Sequence, residues 1–101
     1  MKLLVPMDSE DTQEGVLVPI AEVKTWGLID VEEGQVVEVR FFADKEAALE
    51  EWPDAVIVSG DYEPVMEFIE QQMMVLVAHM QRSIDDIVEA FLFKELHEPA
   101  F

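Results

Sequence analysis

The sequence contains no cysteine, so disulfides, thiolate metal sites and thiol nucleophiles are excluded from its chemistry. Positive charge is scarce too: 6 lysines and arginines face 23 aspartates and glutamates, for a formal net charge of -17. Lys2, Lys24, Arg40, Lys45, Arg82 and Lys94 lie far apart and form no run. Such a surface repels polyanions, so neither nucleic acid nor an anionic membrane leaflet is expected as a partner, whereas cations or basic protein patches suit it. A solvated surface that keeps the protein soluble is the simpler reading of the same excess. No stretch approaches the roughly 20 apolar residues of a membrane span, and the apolar run in the opening MKLLVPM is too short for a signal peptide. A cytoplasmic protein is the expectation. There is also no G-x-G-x-x-G, no P-loop and no G-x-S-x-G around Ser9, Ser59 or Ser83, so nucleotide binding and serine hydrolysis have no motif behind them, and no enzyme activity is expected.

What the chain does have is apolar patterning. Half of its 101 residues are hydrophobic, which can build one core, and a single domain over residues 1–101 is expected. Leu3 to Met7 is continuously apolar or proline, as in a strand buried on both faces, with Pro6 expected where pairing stops. Asp8 to Gly15 is a polar loop. Thr25 to Val31 and Val36 to Phe42 read as a hairpin turned at Glu32–Gly34, with Val37, Val39 and Phe41 on its half-buried face. Asp44 is a candidate N-cap for a helix that Pro53 stops at Trp52, and Ala55 to Val58 reads as a buried strand. Asp61 or Glu63 is then a candidate start for a helix with Val65, Met66, Phe68, Ile69 and Met73 as its apolar stripe. Met74 to Ala78 is another buried strand. Ser83 with Asp86 resembles a capping box ahead of Ile84, Ile87, Val88, Phe91, Leu92 and Leu96 at helical spacing. Trp26 and Trp52 are expected in the core, and the tail ELHEPAF is expected to fray. Strands joined by helical crossovers run parallel and a hairpin does not, so the order predicts a mixed α/β sheet with the first strand central and helices covering it.

Several of these strings, in this order, resemble the family of dinitrogenase iron-molybdenum cofactor-binding and biosynthesis domains. MKLLVPMD resembles its opening strand, LIDVEEGQVVEV its hairpin, DAVIVSG its glycine-ended strand and SIDDIVEAFLFKEL its closing helix. The resemblance implies a ribonuclease H-like three-layer α/β fold with a mixed five-stranded sheet. It further implies a non-catalytic accessory protein that holds or passes on a metal cluster. In that family a Ser-x-His-Phe-Gly type of loop precedes the hairpin, and its histidine is the favoured cluster ligand. Here Pro19, Ile20 and Ala21 stand in those places, Gly60 is the only glycine after the fourth strand, and Met73 replaces a glycine before the fifth. The stretch LVPIAEVKTWGLIDV offers only Glu22 and Asp30 as ready metal ligands, and its LVPIAEV portion reads as packing. Beside that family the chain looks like a divergent form, without the loop histidine and without cysteine.

Ligands of open parallel sheets sit outside the strands' carboxyl ends, near the point where strand order reverses. That edge is expected to gather Asp8, Ser59, Gly60, Asp61, Tyr62 and His79 for a cofactor. Asp8, Asp61 and His79 are the candidate metal ligands, for a divalent cation or a metal cluster. Their ordinary readings are a turn residue for Asp8, an N-cap for Asp61 and a polar strand-end residue for His79. Two metal ions held by Asp8 and Asp61 would make a nuclease, a reading that the charge and the lack of a basic stripe oppose. A protein partner is the other expectation, with Phe93 and Phe101 offering aromatic surface for it or for a homodimer.

Overall fold

The continuous apolar run at the start of the chain becomes β1 (Lys2–Met7), and both of its faces are buried. The computed structural model describes residues 1–99. A loop with a short 3-10 turn (Ile20–Glu22) leads to β2 (Thr25–Glu32) and β3 (Gln35–Phe42). Then follow α1 (Lys45–Leu49), β4 (Ala55–Val58), α2 (Met66–Glu70), β5 (Met74–Val77) and α3 (Ile84–Leu92). The sheet order is β3-β2-β1-β4-β5, with β1, β4 and β5 parallel and β2 antiparallel to both of its neighbours. It is a mixed five-stranded α/β sheet with β1 at its centre.

Alternation along the inner strands divides the core in two. Leu3, Val5 and Met7 of β1 share one cluster with Ala55, Ile57 and Leu76, and α3 covers it with Ile84, Ile87 and Val88. Leu4 faces the other side with Val56, Val58, Val75 and Val77, under Ala48 of α1 and Phe68 of α2. Pro6 pairs with Trp26 of β2, while the β1–β4 ladder runs only through Leu3 and Leu4. Pairing with β2 thus continues past Pro6 to Met7, and it is only on the β4 side, where the Pro6 carbonyl accepts the Val18 N–H at 3.0 Å, that the ladder has ended before the proline.

Helix boundaries are where the sequence reading needs correction. The second helix starts neither at Asp61 nor at Glu63: Val65 is the N-cap, and the Glu63 carboxylate is taken by Ser59 and the Ile20 N–H instead of a helix end. Met66 and Ile69 of its supposed apolar stripe are exposed. The first helix stops at Leu49, and Trp52 is 80% exposed rather than in the core, whereas Trp26 is buried. Val37 is exposed because the hairpin's turn end, residues 32–38, lies outside the cover of the helices. Only Val39 and Phe41 of the expected half-buried face pack on the core. Leu92 is exposed, and Leu96 packs on the core from beyond the helix end. The tail is anchored through His97, whose N–H and carbonyl bridge Val77 at 3.2 and 2.6 Å. Phe101 lies outside the described residues.

The helix ends share one device. Trp52, Gln72 and Lys94 all have left-handed backbone, with φ of 56, 63 and 58°. At Gln72 the N–H donates to the Ile69 carbonyl and the next N–H, of Met73, donates to Phe68; Lys94 and Glu95 repeat this on Phe91 and Ala90. Those paired bonds form the Schellman termination that usually recruits glycine. At Trp52 only the first bond forms, to Leu49, since Pro53 has no N–H to give. Left-handed backbone strains any residue with a Cβ, so Gln72→Gly is expected to raise unfolding free energy by about 0.5–1 kcal/mol, read by urea denaturation.

An ion pair ties the β3 edge to the end of α1. Arg40 Nη2 donates to Glu51 Oε1 at 2.7 Å, its Nε lies 3.1 Å from Glu38 Oε1, and the guanidinium stacks over Phe42. The hydrogen bond from Arg40 holds the Glu51 carboxyl below the usual glutamate value. A depressed carboxylate stabilises fully above its unfolded pKa and loses that contribution as pH falls through the folded value. The stability gap between the parent and Glu51→Gln is therefore expected to shrink steadily as thermal melts are moved from neutral pH to below the ordinary carboxylate range.

Candidate functional site

Three parallel strands end at one edge of the sheet, and the order reverses between β1 and β4, so the crevice in which such sheets usually hold a ligand would fall beyond Met7, Val58 and Ala78. Asp8 begins the loop after β1. Its N–H donates to the Val16 carbonyl at 3.1 Å, and its Oδ1 accepts the Val16 N–H at 2.9 Å. Asp11 closes the same loop by accepting the Gln13 and Glu14 N–H groups at 2.8 and 3.0 Å, which hold its carboxyl below the usual aspartate value. Asp8 therefore acts as a loop clip.

After β4 come Ser59, Gly60, Asp61 and Tyr62. Ser59 Oγ donates to Glu63 Oε2 at 2.7 Å, and the Ile20 N–H donates to Glu63 Oε1 at 3.0 Å. One carboxylate thus ties the end of β4 to the 3-10 turn where the resemblance places a ligand-bearing loop. Glu63 is the site residue that the sequence reading used only as a possible helix start. Asp61 Oδ2 lies 3.2 Å from His79 Nε2 across the ends of β4 and β5. The His79 ring meets His97 edge to face at 6.2 Å between centroids. Tyr62 projects into solvent, 91% exposed. A Cβ on Gly60 would meet nothing within 4 Å, so no tight cradle surrounds it.

Behind the crevice, Arg82 shapes the turn after β5. Its Nη1 donates to the Ala78 and Gln81 carbonyls and its Nη2 to that of His79, at 2.8–2.9 Å. The Arg82 carbonyl accepts the Leu17 N–H at 2.7 Å, joining this turn to the loop before β2. Asp30 is turned to the N-terminal amine, 3.8 Å from it, and Glu22 is exposed on the 3-10 turn. Of the expected ligands the fold brings Asp61 and His79 together. Among the described residues no group of three or more His, Asp or Glu side chains is placed to hold a metal ion. Among them, too, no helix is long and apolar enough to cross a membrane.

No family model matches the sequence, and no curated protein matches it. Solved structures do share its fold. A proposed dinitrogenase of Methanocaldococcus jannaschii superimposes with a TM-score of 0.79 at 16% identity, over 99% of this chain and 95% of that one. A proposed NifB protein of Thermotoga superimposes with a TM-score of 0.73 at 18% identity, over 99% of this chain and 95% of that one. At such identities the likeness establishes the arrangement of strands and helices.

Proposed function

We propose that this chain is a non-catalytic accessory protein of the dinitrogenase cofactor-binding type, with a ribonuclease H-like fold, and that it acts by contact with another protein. The strand order, the end-to-end superposition and the names of the two similar proteins support the accessory reading. One observation speaks against a cofactor at these strand ends, and so for a contact role: the Glu63 carboxylate there is already bonded to Ser59 and Ile20. An iron-molybdenum cluster does not fit the residues present. Soft thiolate donors are missing from the whole sequence, Pro19 to Ala21 supply no imidazole, and the excess of carboxylates repels an anionic cluster.

The test is reconstitution. Purified protein mixed with extracted iron-molybdenum cofactor under argon and then desalted is expected to retain no iron and to show no visible absorption. Stoichiometric iron, lost on His79→Ala or Asp61→Ala, would restore the cluster-carrier reading.

A further inference from the structure

Trp52 is one of 2 tryptophans in the chain and is 80% exposed. Its φ of 56° is one that bulky residues avoid, and it turns the chain sharply before Pro53, which is buried. The indole is shared by two adjoining grooves of about 420 and 300 Å³ between the ends of α1 and α2. Glu46, Glu50, Glu67, Glu70 and Gln71 line them beside it. The cations nearby are already engaged: Lys45 pairs with Glu67, Arg40 with Glu51, and Lys2 Nζ donates to the Glu51 carbonyl. No ion pair among the described residues reaches Glu46, Glu50 or Glu70.

The geometry points to a docking site for a basic, arginine-bearing segment of a partner protein, with one guanidinium stacked on the Trp52 indole and its neighbours set against the glutamates. A cation over an indole face is attracted by the ring quadrupole, and flanking carboxylates add to the attraction. A second copy of this chain is the poorer occupant, since each copy carries a net charge of -17. The surface lies at the amino ends of β4 and β5, because Trp52 precedes Ala55 and Gln71 precedes Met74. It is thus at the other end of these strands from Ser59, Asp61 and His79, and the inference goes beyond the reading of that crevice.

The probe is a synthetic peptide with three arginines spaced by Gly-Ser, titrated into the protein at about 0.15 M salt, where distant charges are screened. NMR is expected to show the Trp52 indole N–H and the amides of residues 46–52 and 67–72 moving, with Trp26 unmoved. Trp52→Ser is expected to bind about tenfold more weakly and Trp52→Tyr to keep most of the affinity. Because the residue is exposed, both variants should melt like the parent. Equal binding by the parent and Trp52→Ser would overturn the proposal in favour of diffuse attraction to an acidic surface, and no binding by the parent would overturn it outright. A concentration-dependent dimer abolished by Trp52→Ser would assign the surface to a second copy instead.

Discussion

Phe68→Ala is expected to lower the unfolding free energy by about 3–5 kcal/mol, the usual result of deleting a fully buried aromatic ring. Phe68 is 1% exposed and meets the Trp26 ring at 6.0 Å between centroids, tilted by 55°. Its effect should be large because α2 is only 5 residues long and cannot persist without its tertiary anchor. Val65 and Phe68 are the two side chains of this segment packed in the core on that face. A domain of this size commonly has about 5–15 kcal/mol in total, so the variant should sit near the edge of folding. Urea denaturation followed by the fluorescence of buried Trp26 reads the change directly. A loss below about 1 kcal/mol would mean that the site collapses around the cavity and that α2 is held by something else.

Glu63→Ala is the second large effect, and it acts on the crevice. The carboxylate accepts one hydrogen bond from Ser59 Oγ and one from the Ile20 N–H. Bonds to a charged acceptor contribute about 1.5–3 kcal/mol each, and partial rescue by water should leave a net loss of about 2–3 kcal/mol. The more telling readout is local. Hydrogen exchange at the Ile20 amide should rise far more than exchange in β1 or β4, because the 3-10 turn loses its tether while the sheet stays intact. Glu63→Gln keeps an acceptor oxygen for Ile20 and should lose less. Uniformly faster exchange throughout the chain would show that Glu63 supports the whole fold rather than the loop.

Much of this architecture is legible in the sequence, since it rests on patterns of burial. The continuous apolar runs of β1, β4 and β5 read as strands covered on both faces, and the Ser83 cap is visible as Ser-x-x-Asp; in the structure β1 and β4 are inner strands, β5 lies at the edge, and Ser83 Oγ accepts the Asp86 N–H at 3.1 Å. Helix ends are hidden because Trp52, Gln72 and Lys94 occupy positions where glycine would normally announce the stop. That is why Trp52 reads as a core residue and stands on the surface. The crevice is legible as a place, at the carboxyl ends of parallel strands, but not as a set of bonds. Glu63 closes it through a contact 43 residues away in sequence, and no local pattern encodes such a pairing. Asp61 and His79 meet only because β4 and β5 are adjacent and parallel, which the order of elements allows and single residues do not reveal.

The proposed role in protein contact, rather than cluster transport, is tested by the metal content and absorption spectrum of the protein isolated without oxygen from its native host. A colourless protein with no stoichiometric iron or molybdenum is expected. A coloured protein carrying either metal in fixed ratio to the chain would contradict the proposed role and would identify the crevice as a working cofactor site.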